Sequence, residues 1–153
     1  MENNITVYCD GGARGNPGPA ACGYLIKKDV MVVHQAKRFL GNTTNNIAEY
    51  SGVLDALSWI WENKKLFVSG QKITFLLDSL LVVNQLNGIF KIKNDSLRNL
   101  AIQIKSLIKK INLPISFINI PREKNSEADF LVNDCLDNTQ VSLLKQTKSP
   151  QLF

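Results

Sequence analysis

The chain has 153 residues, of which 44% are hydrophobic and 20% charged, with a formal net charge of +5. This composition is typical of one folded globular domain and excludes an intrinsically disordered chain. No apolar run approaches the ~20 residues that a membrane-spanning helix needs, so we expect a soluble protein without membrane contacts. The positive charge is concentrated between residues 90 and 124, where eight basic residues accompany two acidic ones. That segment favours a polyanionic partner, although a solvated helix face has the same composition.

The number and surroundings of the cysteines indicate a reducing, intracellular compartment. Cys9, Cys22 and Cys135 are odd in number and lie in apolar surroundings, which is typical of reduced core cysteines rather than a disulfide framework or a metal cluster. The polar residues 1–4 lead directly into the first apolar run, so no signal peptide is predicted. We therefore expect an intracellular, cytoplasmic protein.

The hydrophobic pattern predicts an α/β fold. Runs rich in β-branched and aromatic residues predict five strands, at 5–10, 20–27, 30–39, 72–78 and 115–120. Apolar residues spaced three and four apart predict four helices, at 47–61, 79–86, 97–111 and 127–136. The order β-β-β-α-β-α-α-β-α predicts a mixed five-stranded sheet covered by helices. We expect residues 1–137 to form one domain and residues 138–153, which show no periodicity, to be a poorly ordered tail.

Four acidic residues occupy similar places in this pattern. Asp10 ends the first predicted strand, Asp78 ends a central one, Glu49 lies near the start of a helix, and Asp129 lies near the start of the last. Each has an ordinary explanation, a turn-capping aspartate or an acid in the first turn of a helix. Strand ends and helix starts can also converge at one edge of a sheet, where ligands usually bind.

A convergence of four carboxylates needs cations to neutralise it. Hard divalent ions, above all Mg²⁺, prefer such oxygen ligands, and two of them can assist the hydrolysis of a phosphodiester. Other chemistries lack support. The one histidine, His34, lies inside a predicted strand, and no Cys/His spacing suggests zinc. The glycines between 12 and 18 have the wrong spacing for a dinucleotide fingerprint and lead into a strand.

Four short motifs resemble type I ribonuclease H. They are Tyr-Cys-Asp10-Gly-Gly, Thr44-Asn-Asn-Ile-Ala-Glu49, Leu77-Asp78-Ser79 and Glu127-Ala-Asp129, and they occur in the order found in that family. The resemblance covers about residues 5–136. It implies a ribonuclease H-like fold and a metal-dependent endonuclease that cuts the RNA strand of RNA–DNA hybrids, leaving 5′-phosphate and 3′-hydroxyl ends. It also implies two Mg²⁺ ions per site, with Mn²⁺ as an alternative.

The same resemblance implies residue roles. Asp10 resembles the ligand shared by both metals, Glu49 and Asp78 resemble ligands of the ion beside the leaving group, and Asp129 resembles a ligand of the ion that activates water. The expected contacts with the RNA minor groove are the backbone of Gly11 and Gly12 and the side chains of Asn45 and Asn46. Thr44 resembles the residue that holds a DNA phosphate, and its other interpretation is a helix cap. Arg14 and Asn16 are further candidates for phosphate contacts. We expect both glycines to lack a side chain because a sugar–phosphate strand approaches them closely.

The sequence departs from the family in two places. The loop at 121–125 has no histidine, where many members have one; Arg122 is a candidate replacement through contact with the scissile phosphate, or an exposed loop arginine. The basic protrusion with which some members grip the DNA strand is absent. Part of that contact is expected from Phe90, Lys91 and Lys93, although Phe90 also fits a core position. The alternatives to a hybrid-cutting monomer are a binding module with the same fold and a related nuclease with another substrate.

Overall fold

A computed structural model describes residues 4–148, and their side chains through residue 140. The sheet contains five strands, and the predicted order of elements is confirmed. The strands are β1 (Ile5–Ala13), β2 (Gly18–Lys28), β3 (Met31–Thr43), β4 (Ile73–Leu77) and β5 (Ile115–Asn119). In space they lie in the order β3-β2-β1-β4-β5. β2 is antiparallel to β1 and β3, whereas β4 is parallel to β1 and β5, so the sheet is mixed as expected.

Helices cover both faces of the sheet. They are α1 (Asn45–Glu62), α2 (Leu80–Leu86), α3 (Asp95–Ile111) and α4 (Ser126–Lys148), with 3₁₀ turns at Lys64–Leu66 and Arg122–Lys124. Alternate residues of β2 divide between two cores. Tyr24 and Ile26 pack in the main core with α1 and α3, whereas Leu25 packs with Leu131 of α4. Since successive strand residues face opposite sides, α4 covers the face opposite to α1. Within residues 4–148, no helix has the length and apolar character needed to cross a bilayer.

The first strand is longer than predicted. We expected the strand to end at Asp10, before the glycines, but β1 continues to Ala13, and Gly11 and Gly12 pair with Cys22 and Ala21 of β2. Glycine has an N–H and a C=O like any other residue and can take part in a ladder, so its presence alone did not stop the strand. Asp10 therefore lies within a paired strand, not at its end.

Gly11 is required by the packing of α1. A Cβ built on Gly11 would lie 2.2 Å from the carbonyl carbon of Ala48 and 2.4 Å from the amide nitrogen of Glu49. The expectation that this glycine lacks a side chain for the sake of a nucleic-acid strand is thus wrong, because the backbone of α1 already fills the space. At Gly12 the nearest atom to such a Cβ is Cγ1 of Val132, at 3.8 Å, which is an ordinary contact.

The last helix also differs from the prediction. We expected it to end at Leu136 and a poorly ordered tail to follow, whereas the backbone is helical through Lys148. The sequence of this part has no clear apolar stripe, whereas the contacts of Asp137 and Gln140 with Arg14 tie its first turn to the end of β1. Residues 149–153 of the expected tail lie outside the described part of the chain, and the division into a domain and a tail stays a prediction.

The close approach at Gly11 generates a stability prediction. Gly11→Ala should lower the free energy of unfolding by about 3 kcal/mol, because two packed backbones must separate to admit one methyl group. For a chain of this size that corresponds to a fall of ~10 °C in Tm in thermal unfolding. Gly12→Ala is the matched control and should change the stability by less than about 1 kcal/mol. Equal effects of the two substitutions would show that the approach of α1 does not constrain Gly11.

Candidate active site

A polar cleft of about 460 Å³ opens beside the carboxyl ends of β1 and β4. Residues of β1, of the starts of α1, α2 and α4, and of the loop before α4 surround it. The lining consists of Asp10, Gly11, Gly12, Ala13, Arg14, Asn45, Asn46, Glu49, Asp78, Ser79, Arg122, Asp129, Val132, Asn133 and Leu136. All four predicted acidic residues therefore meet in one cleft.

The sheet register explains how two of the acids meet. β1 and β4 are parallel neighbours, and Tyr8 pairs with Leu76. Asp10 and Asp78 each lie two residues further along their strand direction, Asp10 still within β1 and Asp78 just after β4. They are therefore at the same height in the sheet. Carboxylate oxygens of Asp10, Glu49 and Asp78 lie within 4.8 Å of one another. Three acids at this distance form a site suited to a cation.

Glu49 enters the cluster from α1. It is the fifth residue of that helix, and the first turn contains no acidic residue, so the helix dipole does not account for it. Its side chain is buried, with 8% of its surface exposed. The close contact of α1 with Gly11 is what places this carboxylate beside β1.

Asp129 lies on the outer side of the cluster. It is the fourth residue of α4 and is exposed, whereas Asp10 is only 6% exposed. Its negative charge nevertheless contributes to the raised pKa of Asp10, so the two side chains are close. The cleft thus has three clustered carboxylates and a fourth, more accessible one beside them.

The electrostatics of the cluster are unfavourable without a cation. Burial, and then the charge of Asp78, raise the pKa of Asp10 to about 7. Burial, followed by the charges of Asp10 and Asp78, raises the pKa of Glu49 well above its ordinary value, and the nearby guanidinium of Arg122 opposes this. Both groups therefore hold protons at pH values where isolated carboxyls are ionised.

The donor set fits a hard divalent metal. Oε2 of Glu49 is buried and has no hydrogen-bond partner among the described residues. A buried oxygen without a partner is costly, and a cation beside it would remove that cost. Every potential ligand in the cluster is a carboxylate oxygen, which suits Mg²⁺ or Mn²⁺ and not a metal that prefers sulfur or imidazole.

The structure brings only some of the predicted substrate residues to the cleft. The cleft is lined by Gly11, Gly12, Arg14, Asn45, Asn46 and Arg122, and their contacts with nucleic acid stay a prediction. The remaining five lie outside the lining: Asn16, Thr44, Phe90, Lys91 and Lys93.

Two asparagines and a threonine form a network at the start of α1. Thr44 is the N-cap, and its hydroxyl accepts a bond of 3.2 Å from the amide of Ile47. Oδ1 of Asn45 accepts from the amide of Ala13 at 2.8 Å, and Oδ1 of Asn16 accepts from the amide of Asn45 at 3.0 Å. These bonds use the side-chain oxygens, so the NH₂ groups of both asparagines are left for other partners.

The extension of α4 reaches Arg14. The guanidinium of Arg14 forms an ion pair of 2.6 Å with Asp137 and a hydrogen bond of 3.3 Å with Gln140. Asp137 is the last residue of the expected domain, and Gln140 lies in the part of the chain that we expected to be a poorly ordered tail. Their contacts hold a cationic group at the rim of the cleft, although the pair is exposed and contributes little to stability.

The segment between α2 and α3 is exposed. The amides of Ile89 and Phe90 donate to the carbonyl of Asn84, at 2.8 and 3.1 Å, and this turn points outward. Phe90 is 47% exposed, so it is not a core residue. Lys91 and Lys93 are also exposed.

Sequence reasoning overlooked several residues of the site. Ser79, Val132, Asn133 and Leu136 line the cleft, and their signal was positional, since Ser79 follows Asp78 and the others lie three, four and seven residues after Asp129 on one face of a helix. Asn125 is completely buried beside the acids, although residues 121–124 of the same loop are exposed. Nothing in its local sequence distinguishes it from an ordinary N-cap.

Sequence comparisons place the chain among known proteins. A family profile described as "Reverse transcriptase-like" matches residues 8–135. The chain is 34% identical over 135 residues to the "Bifunctional protein Rv2228c" of Mycobacterium tuberculosis, covering 87% of this chain and 35% of that protein. It is 33% identical over 135 residues to "Ribonuclease HI" of Halobacterium salinarum, covering 88% of this chain and 65% of that one. The chain thus spans about a third of the mycobacterial relative and under two thirds of the halobacterial one.

Two solved structures that the chain resembles are also ribonucleases H. LC11-RNase H1, crystallised in complex with an RNA/DNA hybrid, is 36% identical with a TM-score of 0.83, covering 89% of this chain and 99% of that one. The N-terminal RNase H domain of Rv2228c from M. tuberculosis is 34% identical with a TM-score of 0.81, covering 93% of this chain and 99% of that one. The chain therefore belongs to the reverse transcriptase-like family, and its domain has the ribonuclease H fold.

Proposed function

We propose that this protein is a metal-dependent endonuclease that hydrolyses the RNA strand of RNA–DNA hybrids and leaves 5′-phosphate and 3′-hydroxyl ends. The observation that carries the proposal is the cluster of Asp10, Glu49 and Asp78 within 4.8 Å, in a cleft lined by the residues that match the family's motifs. The complex of the similar LC11-RNase H1 with an RNA/DNA hybrid supports the choice of substrate.

Four carboxylates are the proposed metal ligands. Asp10 would be shared by two Mg²⁺ ions, Glu49 and Asp78 would complete one site, and Asp129 the other. Two bound ions would supply an activated water and stabilise the leaving oxygen of the phosphodiester. Mn²⁺ has the same preference for oxygen ligands and is the proposed alternative.

The start of α1 and the glycines of β1 are the proposed binding surface for the RNA strand. Oδ1 of Asn45 is bonded to the amide of Ala13, and among the described residues its NH₂ group has no partner, so this side chain offers a donor to the cleft. Acceptors are what the RNA minor groove and the 2′-hydroxyl offer, and the 2′-hydroxyl distinguishes RNA from DNA. Asn46 and the backbone of Gly11 and Gly12 would add contacts along the same strand.

Phosphate contacts are proposed for groups around the cleft. Arg14, held by Asp137, and Asn16 would bind phosphates on one side, and Thr44 would hold a phosphate of the DNA strand while it caps α1. Arg122 lies in the cleft near Glu49 and would contact the scissile phosphate in place of the family's loop histidine.

The exposed segment before α3 is the proposed outer contact. Phe90 offers a ring to a sugar, and Lys91 and Lys93 offer two charges to phosphates. We also propose that the chain acts as a monomer in the cytoplasm. Its three cysteines are unpaired and buried, which fits a reducing compartment.

A cleavage assay tests the proposal. Labelled RNA–DNA hybrid, duplex DNA and duplex RNA are each incubated with the protein and Mg²⁺ or Mn²⁺. Cleavage of the RNA strand of the hybrid alone is expected, with 5′-phosphate ends. Asp78→Asn should reduce kcat by at least about 10³-fold, because it removes one charge from the proposed metal site without changing the size of the side chain.

The control for this assay is Asp29→Asn, a substitution of the same kind at an exposed turn residue with φ of 54°, which asparagine tolerates. It should leave the rate unchanged. A hybrid that survives with wild-type protein, or an Asp78→Asn variant as active as wild type, would show that the proposed function is wrong.

The raised pKa of Asp10 generates a prediction for the metal-free protein. A carboxyl with a raised pKa in the folded state contributes stability that is complete below pH 3.8 and is lost as the pH rises through about 7. Asp10→Asn removes this loss and should raise the free energy of unfolding at pH 8 by about 2 kcal/mol, with little effect at pH 4. The measurement is Tm in EDTA across this range.

Mg²⁺ should reverse the order of the two melting temperatures at pH 8, so that wild type melts above Asp10→Asn. Mg²⁺ should raise the Tm of wild type at pH 8 and have a smaller effect on Asp10→Asn, because the ion neutralises charge that the variant lacks. Asp29→Asn serves again as the control and should follow wild type under both conditions. If Asp10→Asn is no more stable than wild type in EDTA at pH 8, the cluster is not under electrostatic strain.

Asn45 tests the proposed donor to the RNA strand. Asn45→Asp keeps the oxygen that accepts from Ala13 and replaces the NH₂ group with a charged oxygen, at a helix start where an acid is tolerated, so Tm should stay within ~3 °C of wild type. KM for the hybrid should rise by roughly 10-fold, the value of one lost hydrogen bond to a charged or polar partner. Asn133→Asp adds the same charge to the same cleft, and because the amide nitrogen of Asn133 already donates to the carbonyl of Asp129 at 3.1 Å, it measures the repulsion without removing a donor left for the substrate. Equal increases in KM for both variants would contradict a specific donor role for Asn45.

A further inference from the structure

One buried side chain bonds to the supports of two of the four acids. Asn125 immediately precedes α4, and its side chain is completely buried, although residues 121–124 before it are exposed. Burial of an amide in a protein interior is costly unless its polar atoms find partners. The position of this residue therefore depends on the bonds it makes.

The amide nitrogen of Asn125 joins two strands of the sheet. Nδ2 donates to the carbonyl oxygen of Cys9 at 2.8 Å and to Oδ2 of Asp78 at 3.3 Å. Cys9 is the residue before Asp10 in β1, so one NH₂ group fixes the backbone that carries one acid and the carboxylate of another. The reverse orientation of the amide would place its oxygen against two acceptors, so the network determines which atom is nitrogen.

The backbone of Asn125 supports a third acid. Its carbonyl oxygen accepts a bond of 3.1 Å from the amide of Asp129, and its own amide donates to the carbonyl of Arg122 at 3.0 Å. The same residue thus links the first turn of α4 to the short turn that carries Arg122.

The side-chain oxygen of Asn125 indicates that this residue does more than fill space in the core. Oδ1 of Asn125 is buried and has no partner among the described residues. An apolar residue at this position would avoid that cost, so the gain from asparagine lies in the two bonds of Nδ2. Both bonds lead to the acids.

We propose that Asn125 is a positioning residue whose side chain sets the relative placement of Asp10 and Asp78, and through them the affinity of the site for divalent metal. The proposal rests on the function proposed above for this cleft. Asn125 does not itself contact substrate. Groups that orient metal ligands typically change metal affinity or activity by 10–100-fold when they are removed.

The test separates positioning from stability. Asn125→Ala and Asn125→Ser are compared with wild type at a temperature well below all three melting midpoints. The affinity for Mn²⁺ alone, measured by calorimetry without nucleic acid, should fall by about 10-fold or more. In the hybrid assay kcat should fall by a similar factor, KM for the hybrid should change by less than about 2-fold, and saturation should need more metal.

Asn87→Ala is the matched control. Nδ2 of Asn87 also donates to a strand carbonyl, that of Phe117 at 3.1 Å, but its bond is remote from the acids. This variant should lose stability and keep the Mn²⁺ affinity and kcat of wild type. If Asn125→Ala behaves in the same way, Asn125 supports the fold alone and the proposal is overturned. Serine, a good helix N-cap, provides a folded variant if the alanine variant does not fold.

The two readouts keep the two proposals apart. Wild-type protein that binds Mn²⁺ but does not cut the hybrid would refute the proposed function, while the Mn²⁺ titration of the variants would still decide the role of Asn125. Wild-type cleavage with unchanged Mn²⁺ affinity in both Asn125 variants would refute the positioning role and leave the proposed function standing.

Discussion

The repulsion among buried carboxylates is the constraint on which the rest of the structure depends. Asp10 and Glu49 are both less than 10% exposed, and together with Asp78 they lie within 4.8 Å. Burial and the neighbouring negative charges raise the pKa of Asp10 and of Glu49, and the repulsion destabilises the folded chain. The fold holds them there because each is attached to a different rigid element, and β1, β4 and α1 are joined by the main core.

Close packing of backbone makes that arrangement possible. Because Gly11 has no side chain, the second turn of α1 contacts β1 directly, and Glu49 reaches the end of the sheet from the neighbouring layer. The strand pairing of Gly11 with Cys22 continues through this contact, so the glycine keeps both the ladder and the helix contact. A single residue type therefore satisfies a requirement of the fold that we had first ascribed to the substrate.

Much of this could be predicted from sequence, and the errors have physical causes. The strand and helix order and the meeting of the four acids follow from periodicity and from acids placed after or before regular elements. The length of α4 was underestimated because its last turns lack an apolar stripe. The burial of Asn125 and the partners of Arg14 depend on contacts more than 100 residues apart in sequence, which no local pattern carries.

The protein supplies hydrogen-bond donors to some oxygen atoms of the acidic cluster and leaves at least one other without a donor. Hydrogen bonds from Nδ2 of Asn125 hold Asp78 and the chain before Asp10 from one side, while Oε2 of Glu49 faces no donor among the described residues. A site whose every oxygen was bonded by the protein would be more stable and would have less affinity for a cation. Here the hydrogen bonds of Asn125 orient the carboxylates and leave part of their negative charge unneutralised. That remaining charge is what attracts a metal ion to the site.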